Sequence, residues 1–130
     1  MAQSSAGFHE AEERLSARTR DLHRALVSLM EELEAIDWYQ QRVDATEDGA
    51  LRAILQHNRD EEIEHAAMVL EWIRRQEAAF DARLRQYLYS EGDIVEREQA
   101  VEGTAPPPRT AIVTVGSLRR APTEDGSWTS

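Results

Sequence analysis

Glu62 and His65 stand three residues apart in the run His57-Asn-Arg-Asp-Glu-Glu-Ile-Glu-His65. On a helix that spacing brings a carboxylate and an imidazole to one spot, and together they are two ligands for a divalent metal. Their neighbours sharpen the reading. With Ile54 as zero and about 100° per residue, Leu51, Ile54, Leu55, Val69, Trp72 and Ile73 fall between zero and about 100°. Glu62 falls at about 80°, Asn58 at about 40° and His65 at about 20°, so three polar groups sit inside an apolar stripe. A lone ionised carboxylate placed there costs several kcal/mol unless something compensates it.

A facing helix offers a third donor. With Leu29 as zero, the apolar stripe of the first helix centres near 20°, and Glu32 lies at its edge at about −60°. Tyr39, at about −80°, is in line with Glu32. A two-fold axis would double Glu32, Glu62 and His65 into four carboxylates and two imidazoles, the ligand set of a di-metal carboxylate four-helix bundle. Oxygen ligands with imidazole suit Fe(II), Mn(II) or Zn(II), and composition does not choose among them. Two further groups lie outside the stripes: Glu31, Glu34 and Trp38 on the other face of the first helix, and His57, Glu61 and Glu64 on one flank of the second. Each reads either as a solvated charged face or as a cation-attracting route or auxiliary metal site, because carboxylate-lined openings concentrate divalent cations.

The elements that must position these residues are helices. From about Glu10 to Gln41, Leu15, Leu22, Leu26, Leu29, Leu33 and Ile36 are spaced by 7, 4, 3, 4 and 3 residues, a heptad-like stripe free of Pro and Gly. Asp44 to Gly49 collects turn formers. A second helix is expected from about Ala50 to Arg75, and a third from Ala78 to Ser90, carrying Phe80, Leu84 and Leu88 and stopping at Gly92. A short polar connection between long helices favours an antiparallel hairpin. The fold expected is therefore all-α, an antiparallel two-helix hairpin plus a short third helix. One hairpin is a thin core; two laid together complete a four-helix bundle, so a homodimer at least is expected.

The organisation expected is a flexible N-terminus at 1–9, a helical domain at 10–92, an acidic and Pro-rich linker at 93–110, and a disordered tail at 111–130. The tail carries one apolar knot, Ile112-Val-Thr-Val-Gly-Ser-Leu118, followed by Arg119 and Arg120.

Composition removes other functions. The 130 residues hold 15 basic against 25 acidic side chains, a net charge of −10. That balance argues against nucleic acid and anionic lipid as partners. Without cysteine there are no disulfides, zinc–thiolate sites or thiol nucleophiles. No apolar run is long enough for a bilayer, and the start MAQSSAGFHEAEER has neither the basic nor the apolar region of a secretory signal, so a soluble, cytoplasmic protein is expected. There is no Gly-rich phosphate loop and no G-x-S-x-G elbow.

Three blocks now bear a resemblance. Met30-Glu-Glu-Leu-Glu-Ala-Ile-Asp-Trp-Tyr39, His57 to His65, and Leu70-Glu-Trp-Ile-Arg-Arg75 resemble the encapsulated ferritins of bacteria, over a stretch from His23 to about Gly92. The resemblance implies a half-ferritin subunit whose di-iron ferroxidase centre forms only at a subunit interface, in a ring of dimers. It implies Glu32, Glu62 and His65 as iron ligands, with Tyr39 beside them. Glu31, Glu34 and Trp38 become a region through which iron enters. His57, Glu61 and Glu64 become a peripheral site for calcium or another divalent cation. Ile63 and Gln40 lie in the same blocks on outward phases, with no role attached.

The tail carries a separate resemblance. Ile112 to Arg120 is similar to the short cargo-loading peptides that dock on the inner wall of encapsulin shells. Val113, Val115 and Leu118 would be apolar anchors around the flexible Gly116-Ser117, presented on a Pro-rich tether. The resemblance thus implies a ferroxidase that oxidises Fe(II) with oxygen inside an encapsulin nanocompartment of the bacterial cytoplasm. Two rivals stand beside it: a di-metal bundle with other redox work on peroxide or manganese, and a non-enzymatic helical adaptor.

Overall fold

The computed structural model describes residues 7–104. Among them the chain is all-helical: a 3-10 turn at Glu12–Arg14, then α1 (Ala17–Ala45), α2 (Gly49–Gln76), α3 (Ala78–Tyr87) and α4 (Ile94–Thr104). Residues 1–6 and 105–130, with the tail knot and its Val113, Val115, Gly116, Ser117 and Leu118, lie outside the described residues.

Local chemistry moves several boundaries from those expected. The first long helix starts at Ala17, not near Glu10, because the Ser16 side chain accepts the Thr19 amide at 3.0 Å and caps the new start. At its other end α1 runs past Gln41 to Ala45, leaving only residues 46–48 before α2. Asp48 caps α2, accepting the Leu51 amide at 2.8 Å, while its own amide donates to the Thr46 hydroxyl at 3.2 Å. Gly49, expected to close the turn, instead opens α2. Arg52 ties the turn from the α2 side. Its Nε donates to the Val43 carbonyl at 3.2 Å and its guanidinium to the Thr46 carbonyl, satisfying oxygens that the end of α1 leaves free.

The chain forms two compact units, one up to Ile73 and one from Arg74. In the first, Val27, Val43, Ala66 and Ile73 are buried. The expected apolar stripe is wider than this core. Leu33 remains 54% exposed and Ile54 58%, and Leu51, Met68 and Trp72 are also open. On the wheel of the second helix, Ala66 and Ile73 fall near 100–120°, whereas Ile54, His65 and Trp72 fall near 0–20°. The hairpin therefore closes on one edge of the stripe and leaves its centre uncovered. Met68 and Trp72, with Arg24, Ala25, Ser28 and Val69, line an open groove of about 290 Å³ on this unit.

In the second unit Asp81 accepts from Arg85 Nε at 2.9 and 3.0 Å and from the Arg74 guanidinium. Two arginines hold its carboxyl below the usual range, the Arg85 hydrogen bond contributing most. α3 ends at Tyr87, earlier than the expected Ser90, where Tyr89 takes a left-handed φ of 60° and Gly92 one of 86°. The segment expected to be an acidic linker is helical over Ile94–Thr104. Asp93 starts it by accepting the Glu96 amide at 2.9 Å, and Arg97 ties it to the Gln86 carbonyl at 3.1 Å. Among the described residues no helix is long and apolar enough to cross a membrane.

Candidate metal centre

α1 carries Glu32 and α2 carries Glu62 and His65, and the antiparallel hairpin brings the three together. His65 Nδ1 lies 3.2 Å from Glu62 Oε2 and 3.9 Å from Glu32 Oε2. One ligand atom from each residue lies within 4.8 Å of the others. Among the described residues, this is the one group of three or more His, Asp and Glu side chains close enough to share an ion. Glu32 and Glu62 are half-buried, at 25% and 24% exposure, while His65 is open at 48%. The wheel expected Glu62 and His65 inside the apolar stripe and Glu32 at the edge of its own. Glu62 faces the closed edge and His65 the uncovered centre, which is why their burial differs.

The electrostatics show two carboxylates in competition. The hydrogen bond with Glu62 raises the Glu32 pKa above its ordinary value, with burial and the like charge of Glu62 adding to it. The same hydrogen bond lowers Glu62, assisted by His65. Of the two, Glu32 therefore holds a proton more tightly than Glu62. His65 is raised, first by its hydrogen bond with Glu62 and then by the nearby negative charge. A divalent cation among these atoms would neutralise both carboxylates, and the donor set of two oxygens and an imidazole nitrogen fits it.

The other expected residues do not join this group. Tyr39 is half-buried on α1, with the Arg42 guanidinium 5.4 Å from its ring centre. Glu31 is exposed and Glu34 half-buried. Trp38 lines an open groove of about 420 Å³ with Gln41, Arg42 and Ala45. His57 Nε2 comes within 3.8 Å of Glu61 Oε1, and Glu64 is exposed. Within one chain, neither set assembles three ligand atoms around a point.

One contact beside the site runs against expectation. Gln40, read as outward, is half-buried and accepts a hydrogen bond from the Arg59 guanidinium across the hairpin. The signal was available: eleven residues beyond Leu29, Gln40 falls at about 20°, the centre of the α1 stripe.

A family profile described as EncFtn-like matches residues 7–91, well over half of the chain. The chain belongs to the EncFtn-like family. As an EncFtn-like chain it is 60% identical over 100 residues to the encapsulated ferritin-like protein of Rhodospirillum rubrum, covering 77% of this chain and 71% of that one. It is 51% identical over 96 residues to a ferritin-like protein of Thermotoga maritima, with coverages of 74% and 84%. The encapsulin nanocompartment cargo protein EncC of Myxococcus xanthus is 38% identical over 124 residues, with coverages of 87% and 95%. Among solved structures, a Nitrosomonas europaea protein superposes with a TM-score of 0.66 at 59% identity, covering 68% of this chain and 97% of that one. The resemblance read from the three sequence blocks is thereby shown.

Proposed function

We propose that this EncFtn-like chain is a ferroxidase whose di-iron centre is completed when two copies bring their Glu32, Glu62 and His65 together. The observation that carries this reading is the convergence of the three ligand atoms within 4.8 Å beside an uncovered apolar face. Three donors leave a metal under-coordinated, and an exposed row such as Leu33, Ile54 and Trp72 is where a second copy would supply the rest. Fe(II) is the substrate, and each ion gives one electron to oxygen. The work of the chain is to hold two such ions side by side. Glu32 and Glu62 would supply the carboxylate oxygens, while His65 adds a neutral donor that keeps the site from excess negative charge. Tyr39 stands on the same side of α1 as Glu32, one layer out. Glu31, Glu34 and Trp38 would form the route for incoming iron, and His57, Glu61 and Glu64 a peripheral site for calcium or another divalent cation.

The names of two relatives support the setting. One is called encapsulated and another an encapsulin nanocompartment cargo protein, and by likeness this chain would work inside an encapsulin shell in the bacterial cytoplasm. Val113, Val115, Gly116, Ser117 and Leu118 would make the contact with the shell wall. Deleting residues 112–120 should then prevent packaging and leave iron oxidation intact.

The test is oxygen consumption on adding anaerobically prepared Fe(II) to purified protein in air-saturated buffer, with size-exclusion chromatography of the same sample. Uptake confined to an assembled species supports an interfacial ferroxidase. Uptake by a monomer removes the interface from the reading, and no uptake by any species removes the activity.

A further inference from the structure

From the Arg59–Gln40 bond across the hairpin we infer that Arg59 is a positioning residue, which fixes the axial register of α1 against α2 and so sets Glu32 opposite Glu62 and His65. The inference rests on the reading of those three residues as a metal site.

Four buried apolar residues anchor the first unit, Val27 and Val43 on α1 and Ala66 and Ile73 on α2. Between Val27 and Val43 on α1, and from Gly49 to His65 on α2, no described residue is fully buried. This stretch contains the site, so the metal ligands lie where apolar interlocking is weakest. A slip of one residue between helices moves a side chain by about 1.5 Å along the axis, whereas a working site must be held to about 0.5 Å. Ile36 and Leu55 are only half-buried there, so a polar tie between the helices adds to a thin set of apolar contacts.

Arg59 is placed to do so. It lies one turn before Glu62 on α2, and its guanidinium donates to Gln40 Oε1, two turns beyond Glu32 on α1. Its side chain is 23% exposed. Asp60 orients the same guanidinium, accepting from Nε at 3.1 Å and from the other terminal nitrogen at 2.6 Å. Gln40 is oriented in turn, its Nε2 donating to Asp44 Oδ1 at 3.1 Å. The bond thus joins two side chains that are each tethered on their own helix, and a tethered rung resists sliding better than a free one. Arg52 also bridges the helices, but at the turn, where it grips backbone carbonyls of Val43 and Thr46.

The experiment measures anaerobic Co(II) affinity and the visible Co(II) spectrum of the full-length assembled protein, together with its melting temperature. Arg59→Met and Gln40→Leu should each weaken Co(II) binding by roughly 10- to 100-fold, the range for a partner that orients metal ligands. Gln40→Leu leaves the Arg59 charge in place, so a loss there reports geometry rather than field. Gln40→Glu keeps the acceptor for Arg59 but loses the donor to Asp44, so it should recover binding and spectrum in part relative to Gln40→Leu. Arg52→Met should lower the melting temperature without weakening Co(II). Parent-like affinity in both Arg59→Met and Gln40→Leu would overturn the inference, and so would an equal loss of affinity in Arg52→Met. Glu32→Ala separates the two levels. If it abolishes Co(II) binding while Arg59→Met does not, only the positioning role fails; if it leaves binding intact, the metal site itself fails.

Discussion

Asp81 and the Glu32–Glu62 pair are carboxylates treated in opposite ways by the same chain. Asp81 receives two arginines, from α2 and from within α3, and its pKa falls. Glu32 receives another carboxylate, and its pKa rises. The chain has fifteen basic residues to place, and the nearby Arg59 is turned to Gln40 and Asp60 instead of to Glu32 or Glu62. Where a carboxylate closes a joint between helical segments, the counter-ion comes from the chain. In the proposed ferroxidase, a metal ion supplies the balancing charge where two carboxylates meet an imidazole beside an uncovered face.

The largest expected effect tests that contrast directly. Glu32→Ala, Glu62→Ala or His65→Ala should each abolish most Fe(II) oxidation and metal binding, a greater loss than the roughly 10- to 100-fold typical of an orienting partner. The helices should remain, and metal-free Glu32→Ala or Glu62→Ala should melt close to the parent, because loss of the hydrogen bond between the two is offset by relief of their like charge. Circular dichroism melts with and without metal check this. A marked loss of metal-free stability would make the pair a structural joint like Asp81.

Core and site can be separated in the other direction. Ile73 is fully buried, so Ile73→Ala should cost about 2–5 kcal/mol in unfolding free energy through the cavity it leaves. Leu33→Ser removes an exposed side chain and should cost the single subunit less than about 1 kcal/mol. If a second copy covers this face, the same change should shift the assembled species toward monomer, which sedimentation velocity would read. A Leu33→Ser protein that assembles as the parent does would leave that face without a partner.

Much of this was legible in the sequence, and the part that was not has a common cause. The Glu-x-x-His spacing, the facing Glu32 and the helical periods depend on one helix at a time, and the observed helices carry them. The division of the apolar stripe depends on how two helices face each other. A period of 3.6 residues shows that Leu51, Ile54, Trp72 and Ile73 share a side, but not that the hairpin covers Ile73 and leaves Ile54 open. Gln40 was misread for a related reason: its polar end suggested solvent, although its phase placed it at the stripe centre, where Arg59 meets it. α4 was missed because Asp93 to Glu102 has little apolar period, and an N-cap starts a helix without one. The peripheral groups around Trp38 and His57 do not converge within one chain, so their chemistry is not legible from a single copy.

The smallest expected effect returns to Asp81. Its folded pKa lies below its unfolded one, so the ionised form is favoured by folding. The stability it contributes is therefore fully present above the unfolded carboxylate range, near pH 4, and is lost as pH falls through that value toward the lowered folded one. Its side chain is 31% exposed, so solvent screening limits the contribution to about 0.5–1 kcal/mol. Asp81→Asn should lower the melting temperature slightly at pH 7, and its gap to the parent should narrow as pH falls below about 4. It should leave metal affinity at pH 7 unchanged, since Asp81 is not one of the three convergent ligands. A gap between parent and variant that does not narrow below about pH 4 would show Asp81 acting through packing rather than charge, and the contrast with Glu32 and Glu62 would then be one of shape, not of counter-ions.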